Sequence, residues 1–412
     1  MPQHDKLRMS FDPSTIEHLG VKMYSNLPTA MAELIANAYD ADAQTVKIKI
    51  IDTDAEKTII VDDDGEGMDF DELNDKFLRI GRNRRKDGLK NSPSGQRIAT
   101  GKKGLGKLAF FGIGEVITIT TIKRGSGKKI TFTLKWDDLM HTHNSDYEPE
   151  YTIEDCAIDK NGTTIELSEL KRKSSIDKED LASSISKLFN VFDQNFKVSI
   201  SLNGDEPITI DSALKFKNID KEFNWSFPEF ADEVDSEYPL QESIFGEIMS
   251  TEKPLKPGLR GITLFANGRL VNAPEFFGVS ESSHGFSYFT GWLDVDFIDD
   301  WEEDVISTDR QSLNWDLPKT YELREFLKKS MSQLEREWRA KRNEKRRETL
   351  KEKTKIDIPN WYDKLPQSVL SNIEPIVNSI VDDSELTEEQ QSTVVNNLHL
   401  LVPEYPFYHW RQ

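Results

Sequence analysis

Glu33 and Asn37 stand four residues apart in the run Ala30-Met-Ala-Glu33-Leu-Ile-Ala-Asn37-Ala-Tyr-Asp40. On a helix that spacing puts both on one face. A carboxylate there can orient a water for attack on a phosphoryl group, and a carboxamide can offer a hard oxygen to a divalent cation. The plainer reading is two polar residues on the solvated side of a helix. Three later stretches, in a fixed order, favour chemistry: Asp64-Gly65-Glu66-Gly67-Met68, Gly101-Lys-Lys-Gly104-Leu105-Gly106-Lys107, and Gly162-Thr163-Thr164-Ile165. A carboxylate such as Asp64 can accept from an exocyclic amino group, and Gly65 and Gly67 let the backbone turn tightly; the plainer reading is an Asp-rich turn that closes a hairpin. The Gly101–Lys107 stretch opens a helix, where successive N–H groups can bind phosphate. It lacks the spacing of a P-loop, and no cation-binding hydroxyl follows Lys107. His141 and His143 have no third ligand nearby, so a zinc site is not expected.

The elements that must position these residues can be read from periodicity. Asn26-Leu-Pro28 predicts the start of a helix that carries Glu33 and Asn37 and ends near Asp40. Alternation predicts hairpins at 45–61 and 116–136, and strands at 163–167 and 196–202. A long polar segment over 71–107 reads as part helix and part functional loop. Helices are expected at 108–113 and 176–190. An acidic, Pro-containing stretch at 227–257 reads as a boundary. Beyond it, strands are expected at 261–266, 269–272 and 291–297, around an Asn267-Gly268 hairpin turn. A long charged helix over 318–354 and short helices over 357–412 complete the chain. The expected divisions are 1–215, an acidic linker and the start of a second domain at 216–257, 258–317, and 318–412.

The chain has 412 residues, enough for two or three domains, and a net charge of −20. That balance disfavours a surface that coats nucleic acid broadly, while leaving a local basic channel open. Residues 79–107 carry ten Lys or Arg and one acid, Asp87. They can attract a triphosphate, contact nucleic acid, or be solvated loop charge. The basic residues of 341–355 read as a solvated helix face, with a coiled-coil or DNA-facing stripe as the sharper alternative. Cys156 is the single cysteine, which excludes an internal disulfide. No apolar run approaches the ~18 residues of a membrane span, so no membrane partner is expected. The first residues lack the apolar core of a signal peptide, and a cytoplasmic location is expected. The aromatic run ending at Gln412 reads either as a docked terminal segment or as a cut before a further domain.

Together these stretches resemble the GHKL ATPases, which include gyrase B-type subunits, Hsp90 chaperones, MutL and MORC proteins and histidine kinases. The resemblance implies a Bergerat-type ATP-binding α/β sandwich, followed by an S5-like α/β transducer domain and a helical C-terminal region. It implies ATP and Mg²⁺ as ligands. Glu33 would polarise the attacking water and Asn37 would hold Mg²⁺. Asp40, Asp64, Gly65, Gly67, Met68 and Thr163 would line the nucleotide, with Asp64 on the adenine amino group. Gly101, Gly104, Leu105, Gly106 and Lys107 would form the ATP lid, with Lys107 near phosphate. In the second unit, Phe265-Ala-Asn-Gly-Arg-Leu-Val271 resembles a MutL-type segment. Ile306 to Asn314 resembles an Hsp90 middle-domain loop whose Arg reaches the γ-phosphate, a role that falls to Arg310. Asn314 stands where that loop has Gln. The plainer reading of Arg310 is an ion pair with Asp300, Glu302 or Glu303. The implied output is a nucleotide-gated homodimer clamp, in DNA transactions or anti-phage defence. An ATP-sensing scaffold for an effector domain is the non-enzymatic alternative. A histidine kinase is disfavoured, because no helix with a phospho-acceptor His precedes Asn37. The sequence leaves open whether the clamp holds DNA, a client protein or an effector.

Overall fold

A computed structural model of the chain describes residues 26–80, 91–101, 109–141, 147–217, 219–279, 284–383 and 386–402. The first unit is an eight-stranded sheet: β1 (Thr45–Asp52), β2 (Lys57–Asp63), β3 (Gly114–Ile122), β4 (Lys128–Lys135), β5 (Tyr151–Asp155), β6 (Gly162–Leu170), β7 (Lys197–Leu202) and β8 (Ile208–Ile210). Their spatial order is β5-β4-β3-β6-β2-β1-β7-β8. β1 and β7 run parallel, and the other neighbours are antiparallel.

Side chains alternate across a strand, so register decides which residues share a face. Ile48, Ile50, Ile59, Val61, Ile119, Leu167, Val198 and Ile200 are all buried in one core. Helices α1 (Leu27–Asp40), α2 (Phe110–Ile113) and α3 (Lys178–Ser186) cover that face. α1 contributes Leu27, Ala30, Met31, Leu34, Ile35 and Ala38, a stripe at helical spacing. The other face is polar, with hydroxyl pairs Thr118–Thr133 and Thr120–Thr131, each at 3.1 Å.

The second unit is a five-stranded sheet of β9 (Lys221–Phe227), β10 (Phe245–Thr251), β11 (Gly261–Ala266), β12 (Arg269–Glu275) and β13 (Phe289–Asp294), in the order β12-β11-β13-β10-β9. The acidic stretch at 227–257, read as a boundary, is part of this unit. It supplies β10, and β9 lies just before it, because aromatic alternation in Phe223, Trp225 and Phe227 builds a strand despite the surrounding charge. The second unit begins near Lys221, inside the 216–257 segment expected to hold a linker and the start of the second domain.

The long helix α4 (Pro318–Thr354) serves two bodies. Leu323, Phe326, Leu327, Met331, Leu334 and Trp338 pack into the second core. Leu350 joins a third core with α5 (Ile358–Asp363), α6 (Gln367–Asp382) and α7 (Glu388–Leu401), around Trp361, Val377, Val381 and Val395. The basic residues of α4 are engaged within the chain. Arg342 and Lys345 pair with Glu222, Arg346 donates to the Val381 and Asp382 carbonyls, and Lys351 and Lys353 pair with Asp357 and Glu388. That leaves little support for the DNA-facing stripe. Among the described residues, no helix is long and apolar enough to cross a membrane.

Candidate active site

α1 starts cleanly because Asn26 Oδ1 accepts from the Thr29 N–H at 2.9 Å and Pro28 fits the first turn. Its apolar stripe is anchored in the core, which turns the opposite side outward. Asn37 is exposed there, and the Glu33 side chain keeps 13 % of its surface accessible. At the far end of the helix, Ala41 O accepts from Glu66 N at 2.8 Å, which ties α1 to the turn after β2.

That turn separates two adjacent aspartates. Asp64 was the expected adenine acceptor, and the structure corrects this. Asp64 Oδ1 accepts from Gln44 N at 2.7 Å and Thr45 N at 2.8 Å, and Oδ2 accepts from Thr45 Oγ1 at 2.7 Å. The carboxylate is committed to the start of β1. Desolvation works to raise its pKa, but the Thr45 and Gln44 hydrogen bonds outweigh it and hold the group below the usual carboxylate range.

Asp63 is the acid on the helix-facing side. It pairs in register with Val46 on β1 and with Thr163 on β6, in the row beyond Val61 and Ile165. Burial pushes its carboxyl up to about 7, although the Gly65 and Thr163 N–H groups bond to it and act in the other direction. Gly65 N lies 2.9 Å from Asp63 Oδ1. Thr163 belongs to the same row, and its hydroxyl lies 3.1 Å from that of Thr121. Thr121 also receives the Met68 N–H at 3.0 Å. Gly67 has φ +69, and a Cβ there would stand 1.9 Å from the Ile122 carbonyl oxygen, so no side chain fits. Asn161 Nδ2 clamps the turn through the Asp64 and Gly65 carbonyls at 2.9 and 2.7 Å. Asp63, Gly65, Gly67, Met68 and Thr163 thus form one cluster.

Asp40 lies at the end of α1 and was expected to line the nucleotide. Its buried carboxylate instead accepts from Thr100 N at 2.7 Å and Gly101 N at 3.0 Å. It anchors the start of the glycine-rich segment. Gly104, Leu105, Gly106 and Lys107 lie outside the described residues, as do Arg82, Arg84, Arg85 and Lys86.

The second unit reaches this site with two arginines. The Arg310 guanidinium donates to the Thr100 carbonyl, next to the Asp40 latch. Burial pushes its pKa down to about 10, with help from Arg269 and opposition from Glu33, Asp299 and Asp40, so it stays charged near neutrality. Arg310 has φ +57, a left-handed conformation that a non-glycine residue holds only in a well-braced loop. The brace is visible: Ser307 N bonds Ser312 O at 2.9 Å, Asn314 N bonds Val305 O at 2.8 Å, and Ala273 N bonds Gln311 O at 2.9 Å. Asn314 serves this turn, with its Oδ1 accepting from Asp316 N at 3.2 Å.

Arg269 was expected in a hairpin turn and in a MutL-type segment, with no role of its own. It is buried, and its guanidinium pairs with Glu33 Oε1. The signals available were that segment and a cation set between the apolar pairs Phe265-Ala266 and Leu270-Val271.

Among the described residues, no group of three or more His, Cys, Asp or Glu could cage a metal ion. An exposed carboxamide such as Asn37 suits a Mg²⁺ ion shared with a polyphosphate, since Mg²⁺ keeps few protein ligands in such sites.

Residues 24–171 match the family model described as histidine kinase-, DNA gyrase B-, and HSP90-like ATPase. The chain is 27 % identical over 346 residues to HgiDII of Herpetosiphon aurantiacus, whose name carries a provisional assignment as a type II restriction enzyme. That alignment covers 78 % of this chain and 54 % of HgiDII. It is also 28 % identical over 184 residues to the chaperone protein HtpG of Burkholderia lata, covering 40 % of this chain and 28 % of HtpG. The chain thus spans about half the length of the first relative and less of the second. The first domain, with its helix-covered sheet and the ordered boxes on α1, the β2 turn and β6, belongs to the GHKL superfamily of gyrase B-, Hsp90- and histidine kinase-like ATPases.

Proposed function

We propose that this chain binds Mg-ATP and hydrolyses it slowly, at a site completed by its second domain. Nucleotide state then sets whether two copies close on each other as a clamp. The observation that carries this reading is the convergence of Glu33 on α1 with Arg269 and Arg310 of the second domain, inside a domain of this superfamily. Asp63 and Thr163 take the adenine edge, and Asp63 accepts from the amino group. Glu33 orients the water in line with the γ-phosphate. Asn37 holds Mg²⁺, which when bound neutralises the triphosphate oxygens. Arg310 faces the charge that develops on the transferred phosphoryl group. Asp40 fixes the root of the segment that closes over the phosphates, with Lys107 among its cations.

The likeness to HgiDII spans more of the chain than the likeness to HtpG. That favours a DNA transaction, defence against foreign DNA included, over client folding. The test is phosphate release by the purified chain with Mg-ATP. The reading expects slow turnover in wild type, and in Glu33→Gln retained binding with turnover lowered by on the order of 10²-fold to a measurable residual rate. Wild-type turnover in that variant would remove Glu33 from its role, and failure of the wild-type chain to bind ATP would remove the function.

A further inference from the structure

We infer that Arg269 is a positioning residue for the Glu33 carboxylate, and that through it hydrolysis depends on the β11–β12 turn being seated on the first domain. The inference rests on the ATPase reading above.

Three observations carry it. The first is the pairing itself. Arg269 bonds Glu33 Oε1, and among the described residues Oε2 takes no hydrogen bond. A carboxylate fixed through one oxygen keeps the other for a water. The Arg269 side chain is only 6 % exposed and that of Glu33 13 %, so neither samples solvent freely.

The second is the way Arg269 is held. Its backbone makes a bridge with Phe189 of the first domain. On either side, Asn190 N donates to Gly268 O at 2.6 Å and Leu270 N donates to Leu188 O at 3.0 Å. Asn267 and Gly268 have φ +49 and +71, the two left-handed residues of a tight hairpin turn. A Cβ on Gly268 would stand 2.1 Å from Val191 Cγ1, so the turn sits directly on the first domain. The guanidinium is therefore fixed relative to α1 by backbone contacts on its own residue and its neighbours.

The third is the charge arrangement. Arg269 and Arg310 act on each other as like charges, and Glu33 acts on Arg310 as the opposing one. Asp299 and Asp40 also act on Arg310, whereas Arg269 pairs with Glu33. With Arg310 assigned to the phosphate, Arg269 is left to hold the acid. A water-orienting group must be kept close to its productive geometry, and an unpaired glutamate on a helix face has several rotamers.

The experiment compares wild type, Arg269→Ala, Arg269→Lys, Glu33→Gln, and the Arg269→Ala Glu33→Gln double variant, all as the full chain. It measures kcat, KM, ATP affinity and melting temperature. Loss of positioning should lower kcat by about 10- to 100-fold with little change in ATP affinity. Arg269→Lys should recover part of kcat. In the Glu33→Gln background, Arg269→Ala should cost nothing further, because it acts through Glu33. Multiplicative losses in the double variant would overturn the inference, as would unchanged or raised kcat in Arg269→Ala. So would an affinity loss that tracks a lowered melting temperature. Absence of turnover in wild type would instead overturn the ATPase reading and take the inference with it.

Discussion

Replacing Asp63 with Asn leaves an amide in the helix-facing row between Val46 and Thr163. We predict a loss of ATP affinity of at least about 10-fold, since a charge-assisted acceptor is lost, with folding retained. Asp64→Asn should do the reverse: the variant keeps affinity when folded but is less stable by about 1–2 kcal/mol, because Thr45 and Gln44 lose a charged acceptor. Titration calorimetry and melting temperature on the pair separate the roles, and equal affinities would undo the assignment. The raised pKa of Asp63, about 7, adds a pH signature. The adenine amino group needs the ionised acid, so affinity should rise between about pH 6 and pH 8, with proton release on binding near pH 7. Asp63→Asn should abolish that slope. The distinction between the two aspartates was legible in principle. Ile59, Val61 and Asp63 recur at every second position of β2, which already puts Asp63 inward. The motif alone pointed to its neighbour. The Arg269–Glu33 pair was not legible, because residues so far apart in sequence meet only once two domains dock.

Elements join this molecule through buried ionic and polar seams. Arg342 on α4 holds Glu222 on β9 at 2.9 Å, donates to the Glu252 carbonyl at 2.8 Å, and stacks on the Tyr288 and Trp338 rings. The Glu222 side chain is only 4 % exposed. Arg342→Ala leaves the buried Glu222 with only the more distant Lys345, at 3.7 Å, and should cost about 2–3 kcal/mol, read as a denaturant midpoint shift. A change below about 0.5 kcal/mol would mean that water replaces the arginine. At the seam between the two sheets, Asp294 on β13 accepts from Asn190 Nδ2 at 3.1 Å and faces Lys215. Burial pushes Asp294 up to about 7 and Lys215 down to about 8. A carboxyl whose folded pKa is raised binds more protons when folded, so its contribution falls as pH rises from about 4 to 7. Asp294→Asn should flatten that decline and raise the melting temperature at pH 8 relative to wild type. A lower melting temperature at pH 8 would mean that the ionised acid helps hold the seam. α1, the β1–β2 hairpin and α4 were readable because their periodicity is unbroken. β9 and β10 were hidden by the acids between them, although Phe223, Trp225 and Phe227 alternate as a strand should.

At the scale of the whole chain, two domains meet at Glu33, Arg269 and Arg310, and α4 joins the second core to the third. On the proposed clamp reading, ATP binding should change the association state of the chain. We predict that Mg-bound, non-hydrolysable ATP analogue shifts the chain from monomer to dimer in sedimentation velocity, while ADP does not. A nucleotide-independent distribution would count against the clamp. The two-domain site itself is tested most directly by kcat of Arg310→Ala at saturating Mg-ATP, with ADP affinity and melting temperature measured on the same protein. If Arg310 stabilises the developing phosphoryl charge, kcat should fall by on the order of 10²-fold or more while ADP affinity stays near wild type. Turnover close to wild type, with only a lowered melting temperature, would show that Arg310 braces the Thr100 carbonyl and nothing else, and would contradict a site completed across the domain boundary.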